Sequence, residues 1–71
     1  MTFTEWLDER MRENNLSISG LARAMHVSTA TVSAWRAGRR EPVPTTLREM
    51  AALFKVSADD AIGLTKWRDG A

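Results

Sequence analysis

Two groups of residues in this 71-residue chain have the types and spacing for binding chemistry. The first is the run of short side chains Thr29, Ala30, Thr31, Ser33 and Ala34. Their hydroxyls donate or accept hydrogen bonds, and their methyls make apolar contacts. None is long enough to hold another surface at a distance. The second is the basic group Arg36, Arg39, Arg40 and Arg48, interrupted among charged residues only by Glu41. Guanidinium groups clustered in this way pair with phosphate oxygens. The bland alternative is a solvated charged loop. Ser28 stands just before the short-chained run, where its hydroxyl and the neighbouring amides can meet an anion.

These groups need elements to hold them. Within Ile18 to Gly38 the apolar or small residues are Leu21, Ala22, Met25, Val27, Val32 and Trp35. Leu21 and Met25 lie one helical turn apart and point to one side. Ala22 is small and permits a close helix crossing. Val27 plugs a turn, and Val32 and Trp35, three apart, anchor a second helix from beneath. The opposite face of that helix carries Thr29, Ala30, Ser33 and Ala34. A helix anchored on one side and short-chained on the other suits the DNA major groove. The lack of Arg, Asn or Gln among these five side chains excludes bidentate base pairing by them. Direct readout is therefore expected to be modest and supplemented by DNA shape.

Composition bounds the alternatives. A chain of this length forms one small domain, 1–71, and its 44% hydrophobic content serves a core rather than a large cavity. It has no cysteine, so thiolate nucleophiles, thiolate metal sites and disulfides are absent. His26 is the only histidine and has no partner with ligand spacing, so it reads as a turn residue. Ser28, Thr31 and Ser33 lack a neighbouring His or Lys base, and no glycine-rich phosphate loop is present. No enzyme activity, metal or cofactor is expected. Net charge is only +1, so the basic strip is a local, directional footprint rather than a global one. No apolar run approaches the roughly 20 residues that span a bilayer, and no leader pattern is visible. The expectation is a cytoplasmic protein that does not engage membranes.

The hydrophobic period of about 3.6 residues recurs along the chain, and strand alternation is absent. The spacing predicts an all-α bundle of about five helices. Thr2 and Glu5 have capping-box spacing at the head of the first helix, whose stripe is Phe3, Leu7 and Met11 with Trp6 beside it. Asn14 and Asn15 end it. The acidic residues Glu5, Asp8, Glu9 and Glu13 are spaced with Arg10 and Arg12 for ion pairs along the helix. Ser17 and Ser28 are N-caps for the second and third helices, and Gly38 closes the third. Pro42 and Pro44 lead into a fourth helix to about Lys55, with Leu47, Met50, Ala51 and Phe54 inward. Ser57 to Asp60 resembles another capping box, opening a short fifth helix with Gly63 inside it. Met11, Met25 and Met50 are core-filling residues. Trp35 is expected to be partly core, with its indole N–H outward. The tail 66–71 is expected to fray unless Trp67 docks. Trp67 either marks a contact surface or folds back on its own domain.

The residues from Leu16 to Gly63, LSISGLARAMHVSTATVSAWRAGRREPVPTTLREMAALFKVSADDAIG, resemble the phage-repressor and Cro-like helix-turn-helix family. The order matches over most of the chain: reading helix, glycine exit, basic turn, proline, then a helix ending in an apolar-Ser-x-Asp step. The motif occupies about residues 18–38. Two positions depart from the family pattern. His26 stands where glycine is usual, and histidine is among the side chains enriched in left-handed conformations. Ile18 stands where the family often has a glutamine that bonds phosphate, which removes one expected contact.

The resemblance implies a sequence-specific DNA-binding transcriptional regulator, typically a repressor acting as a homodimer at a palindromic operator. It places Thr29, Ala30 and Ala34 at positions facing base edges, with Thr31 and Ser33 beside them. Ser28, Arg36, Arg39 and Arg40 are the expected phosphate contacts. The partners expected are double-stranded DNA and a second copy, the latter through Ile62, Leu64 and Trp67. The alternative is a protein-interaction module, such as an antitoxin or adaptor, using Trp67 and the acidic first helix to hold a protein partner.

Overall fold

The computed structural model describes residues 1–68. Five helices follow one another: α1 (Phe3–Glu13), α2 (Ile18–Met25), α3 (Thr29–Ala37), α4 (Pro44–Phe54) and α5 (Ala58–Ile62). Most helix starts follow from local side-chain chemistry. At α1 the Glu5 amide donates to Thr2 Oγ1 (3.2 Å) and the Thr2 amide donates to Glu5 Oε1 (2.8 Å). This reciprocal box satisfies two amides that helix geometry leaves free. The bond from the Thr2 amide holds the Glu5 carboxyl below its ordinary pKa. Ser17 and Ser28 accept from the amides of Gly20 (3.0 Å) and Thr31 (3.1 Å). Pro44 opens α4, where its missing N–H leaves nothing unpaired.

The helix ends repeat one device. Asn15, His26, Gly38 and Lys55 have φ of 53°, 59°, 78° and 59°. Each is followed by a residue whose amide reaches five residues back: Leu16 to Met11 O, Val27 to Ala22 O, Arg39 to Ala34 O and Val56 to Ala51 O, at 2.9–3.0 Å. This is the Schellman closure. Leu16, Val27 and Val56 then pack against the core. At three of these four ends the chain thus reverses and tucks its next, apolar residue underneath; at Gly38 the next residue is Arg39. His26 adopts the left-handed turn that its glycine-like position requires.

The core lies between the helices. Phe3, Trp6, Leu7 and Met11 of α1 meet Leu21, Ala22 and Met25 of α2, Val32 and Trp35 of α3, and Leu47, Met50 and Phe54 of α4. Trp6 is its aromatic centre, stacked on Phe3 at 5.8 Å and edge-on to Phe54 at 5.9 Å. Such pairs add to the stabilisation from area burial. Arg10 lies over the outer side of Trp6, 5.9 Å from the ring centroid, and pairs with Glu13 at 3.0 Å. The helix-face ion pairs expected from sequence are thus present in α1.

Two expectations are corrected. The fifth helix does not contain Gly63: α5 stops at Ile62, and Gly63 is its cap. Tight bonds replace the helix there, from Leu64 N to Ala61 O (3.1 Å) and Thr65 N to Ile62 O (3.0 Å), with Thr65 Oγ1 also donating to Ile62 O (2.8 Å). Ser57 makes no side-chain cap bond. For residues 66–68 the docking alternative applies. Trp67 is half-buried against the core, its amide donates to the buried Thr65 Oγ1 (3.1 Å), and Lys66 covers its ring at 5.0 Å. The rest of the tail expected to fray, 69–71, lies outside the described residues.

Two changes probe this framework. Val32 has no exposed surface, so Val32→Ala is expected to destabilise the protein by about 1–3 kcal/mol. Coincident denaturant midpoints for variant and parent would place Val32 outside the core. His26→Gly relieves a side chain in left-handed backbone, which costs roughly 1–2 kcal/mol, partly offset by the extra freedom of glycine in the unfolded chain. The expected result in thermal unfolding is a midpoint roughly 2–8 °C higher. A lower midpoint would mean that the imidazole makes contacts worth more than the strain.

Candidate nucleic-acid interface

The geometry of α3 sorts the candidate residues. At about 100° per residue, Thr29, Ser33, Arg36 and Ala37 share one side with Ala30 at its edge. Thr29, Ala30, Arg36 and Ala37 are exposed and Ser33 is half-buried. Val32 and Trp35 point the other way and are buried, so α3 is anchored from beneath as its spacing predicts. Trp35 is more deeply buried than a half-surface residue, and its role is packing.

Ala34 departs from the expected face. It is only 7 % exposed. At about 100° per residue it stands roughly 140° round from Thr29, off the stripe of Thr29, Ser33 and Arg36, and its carbonyl accepts from the amides of Arg39 and Arg40 at 3.0 and 3.4 Å. Ala37 lies exposed on the short-chained face instead. Thr31 is half-buried, and its hydroxyl lies 2.9 Å from Ser28 Oγ. Ser28 is exposed at the N-terminus of α3, with its hydroxyl already committed to the Thr31 amide and side chain. Ile18, in the motif's first helix, is half-buried against the core.

The basic residues fall into two classes. Arg39 and Arg40 are exposed, and no carboxylate among the described residues forms an ion pair with either. Arg39 occupies the position that Leu16, Val27 and Val56 hold at the other left-handed helix ends. Where those send an apolar side chain inward, this turn keeps a guanidinium in solvent. Glu41, the one acid within the strip, forms no ion pair with it among the described residues. Its Oε1 accepts from the Lys66 amide at 2.9 Å, tying the turn to the C-terminal segment. Arg36 differs, because Asp8 of α1 pairs with it, and Asp8 also pairs with Arg12. That bridge spans 28 positions and carries no signal in local sequence.

Among the described residues no group of three His, Cys, Asp or Glu side chains is placed to hold a metal ion. No helix among the described residues is long and apolar enough to cross a membrane. Helix α3 presents a face of short polar and methyl side chains, continued by two guanidiniums without an ion-pair partner among the described residues.

If Arg39 and Arg40 hold phosphates, Arg39→Ala and Arg40→Ala will each weaken binding to all duplexes alike. Each will flatten the log–log dependence of affinity on salt by about one unit. A salt titration on random and on preferred duplexes checks this. A change in sequence preference would reassign that arginine to a base.

A family model described as helix-turn-helix matches residues 7–60, from the middle of α1 into α5. No curated protein and no solved structure matches the chain.

Proposed function

The chain belongs to the Cro/C1-type helix-turn-helix family of DNA-binding regulators, and from that membership we propose that it reads a specific operator as a homodimeric transcriptional repressor. The observation that carries this reading is the α3 face, where exposed short side chains run directly into the unpaired Arg39 and Arg40. Thr29 and Ala30 meet base edges in this reading, through a hydroxyl and through methyl contacts suited to thymine. Ser33 and Thr31 flank them, and Ser28, Arg39 and Arg40 hold the backbone. Ala34 contributes little surface. Ala37, which the sequence reading did not single out, takes its place. The site acts in the cytoplasm, without enzyme chemistry or a cofactor.

An argument from discrimination supports the homodimer. A short-chained reading face discriminates weakly, and two half-sites about one helical turn apart, roughly 34 Å, multiply that discrimination. Ile62, Leu64 and Trp67 are half-buried within the protomer, so they give little apolar surface to a partner. Val43, 50 % exposed at the entry to α4 and two residues from the Glu41 link to the C-terminal segment, is the better candidate. The antitoxin or adaptor alternative relied on Trp67 and the acidic α1. Trp67 is half-buried against its own core, and Asp8, Glu9 and Glu13 are paired with arginines, so that reading draws less support than the DNA reading.

Selection of bound sequences from a random duplex pool tests specificity, and footprinting on the selected site tests the dimer. The expected outcome is a two-fold motif with both halves protected together. Val43→Glu is expected to leave single half-site binding intact and abolish joint occupancy. No enriched motif, or one half-site protected at saturation, would defeat the reading.

A further inference from the structure

Asp8 is an acid placed where a DNA-binding protein has reason to avoid one. It lies on α1, yet its Oδ1 accepts from Arg36 on the presented side of α3 and its Oδ2 accepts from Arg12. Arg36 follows Thr29 and Ser33 along one stripe, three residues beyond Ser33 and seven beyond Thr29, and it carries the only guanidinium on that stripe within α3. Its side chain is 38 % exposed and that of Asp8 is 35 % exposed, so both remain within reach of a ligand on this face. Packing of α1 against α3 fixes where the carboxylate stands. The partner is thus set by the fold and not by a neighbouring turn.

A free guanidinium at this point would attract phosphate on any duplex. A guanidinium held by a carboxylate is partly neutralised and confined in direction. The same carboxylate repels a backbone that approaches out of register. Specificity is a difference of affinities, and a group that penalises the wrong complex serves it as well as one that favours the right one. Resting on the operator-binding reading above, we propose that Asp8 is a specificity-determining positioning residue. It acts through Arg36 to suppress indiscriminate phosphate binding and to direct that side chain in the operator complex. Arg39 and Arg40, without such a partner among the described residues, supply the general attraction to DNA. Arg36 supplies a contact that only a correctly seated duplex receives.

The test is a set of salt titrations with the full chain on two duplexes, a selected operator and a random sequence. For Asp8→Asn the affinity for random duplex is expected to rise roughly two- to five-fold, the scale of one exposed ion pair. The salt slope should steepen by about one unit as Arg36 engages a further phosphate. The ratio of operator to random affinity should fall. Loss of a merely structural contact would weaken binding to both duplexes instead. Asp8→Glu, which keeps the carboxylate, should restore the parent ratio, and Asp8→Ser serves if the amide perturbs folding. In an Arg36→Ala background the effect of Asp8→Asn on the slope should shrink to a small remainder. An unchanged ratio in Asp8→Asn, or the same shift with and without Arg36, overturns the proposal. If the parent chain binds no duplex at low salt, the operator reading itself fails and this inference falls with it. If the parent discriminates and Asp8→Asn discriminates equally well, only this inference fails.

Discussion

The fold depends on how its helices stop. Among α1 to α4 none exceeds eleven residues, shorter than the roughly 12–15 at which an isolated helix becomes even marginally stable in water. Each must therefore be held by packing. A left-handed residue at Asn15, His26, Gly38 and Lys55 closes the free carbonyls and reverses the chain. Reversal delivers Leu16, Val27 and Val56 to the core. The stop and the anchor are one event, so capping and burial reinforce each other. Three of the four left-handed residues are not glycine, so this geometry is held against local strain by the burial that follows it.

Helix α3 uses this device with one substitution. Its end is relieved of strain by Gly38, and its following residue is Arg39 rather than an aliphatic. The loss of an apolar anchor there is compensated elsewhere: Val32 and Trp35 fix α3 from below, and Pro42 is buried just beyond the turn. Arg39 is consequently free to stay in solvent. The turn that would have contributed to stability is given over to charge, next to the face that carries Thr29 and Ala30. The position of this exception at α3 connects the architecture to the candidate interface.

Electrostatics on this side are organised by where the acids point. Glu41 lies within the basic strip in sequence but bonds the Lys66 amide and forms no ion pair with Arg39 or Arg40. Asp8 lies far from the strip in sequence but meets Arg36. Sequence proximity and electrostatic proximity are inverted for these two carboxylates. The net charge of +1 hides this separation, because the potential seen by a ligand is set by local unpaired groups. The link through Glu41 also ties the basic turn to the segment in which Thr65 is buried and Trp67 docks, so the C-terminal residues help to hold the turn's course.

What the sequence by itself determined is the local part. The Thr2–Glu5 box, the Ser17 and Ser28 caps, the left-handed turn at His26, the glycine stop and the apolar stripes of α1 and α4 all rest on interactions within about one helical turn, which spacing exposes directly. The exposure of Thr29 and Ala30 opposite Val32 and Trp35 was legible for the same reason, and so were the pairs of Arg10 and Arg12 along α1. Tertiary structure decided the rest. It buried Ala34, turned Trp67 inward, and brought Asp8 to Arg36 and Glu41 to Lys66. Those last pairings span 28 and 25 residues. A helical period gives the direction in which a side chain leaves its own helix, but not what stands there; that depends on how whole helices cross, and only the packed core fixes the crossing.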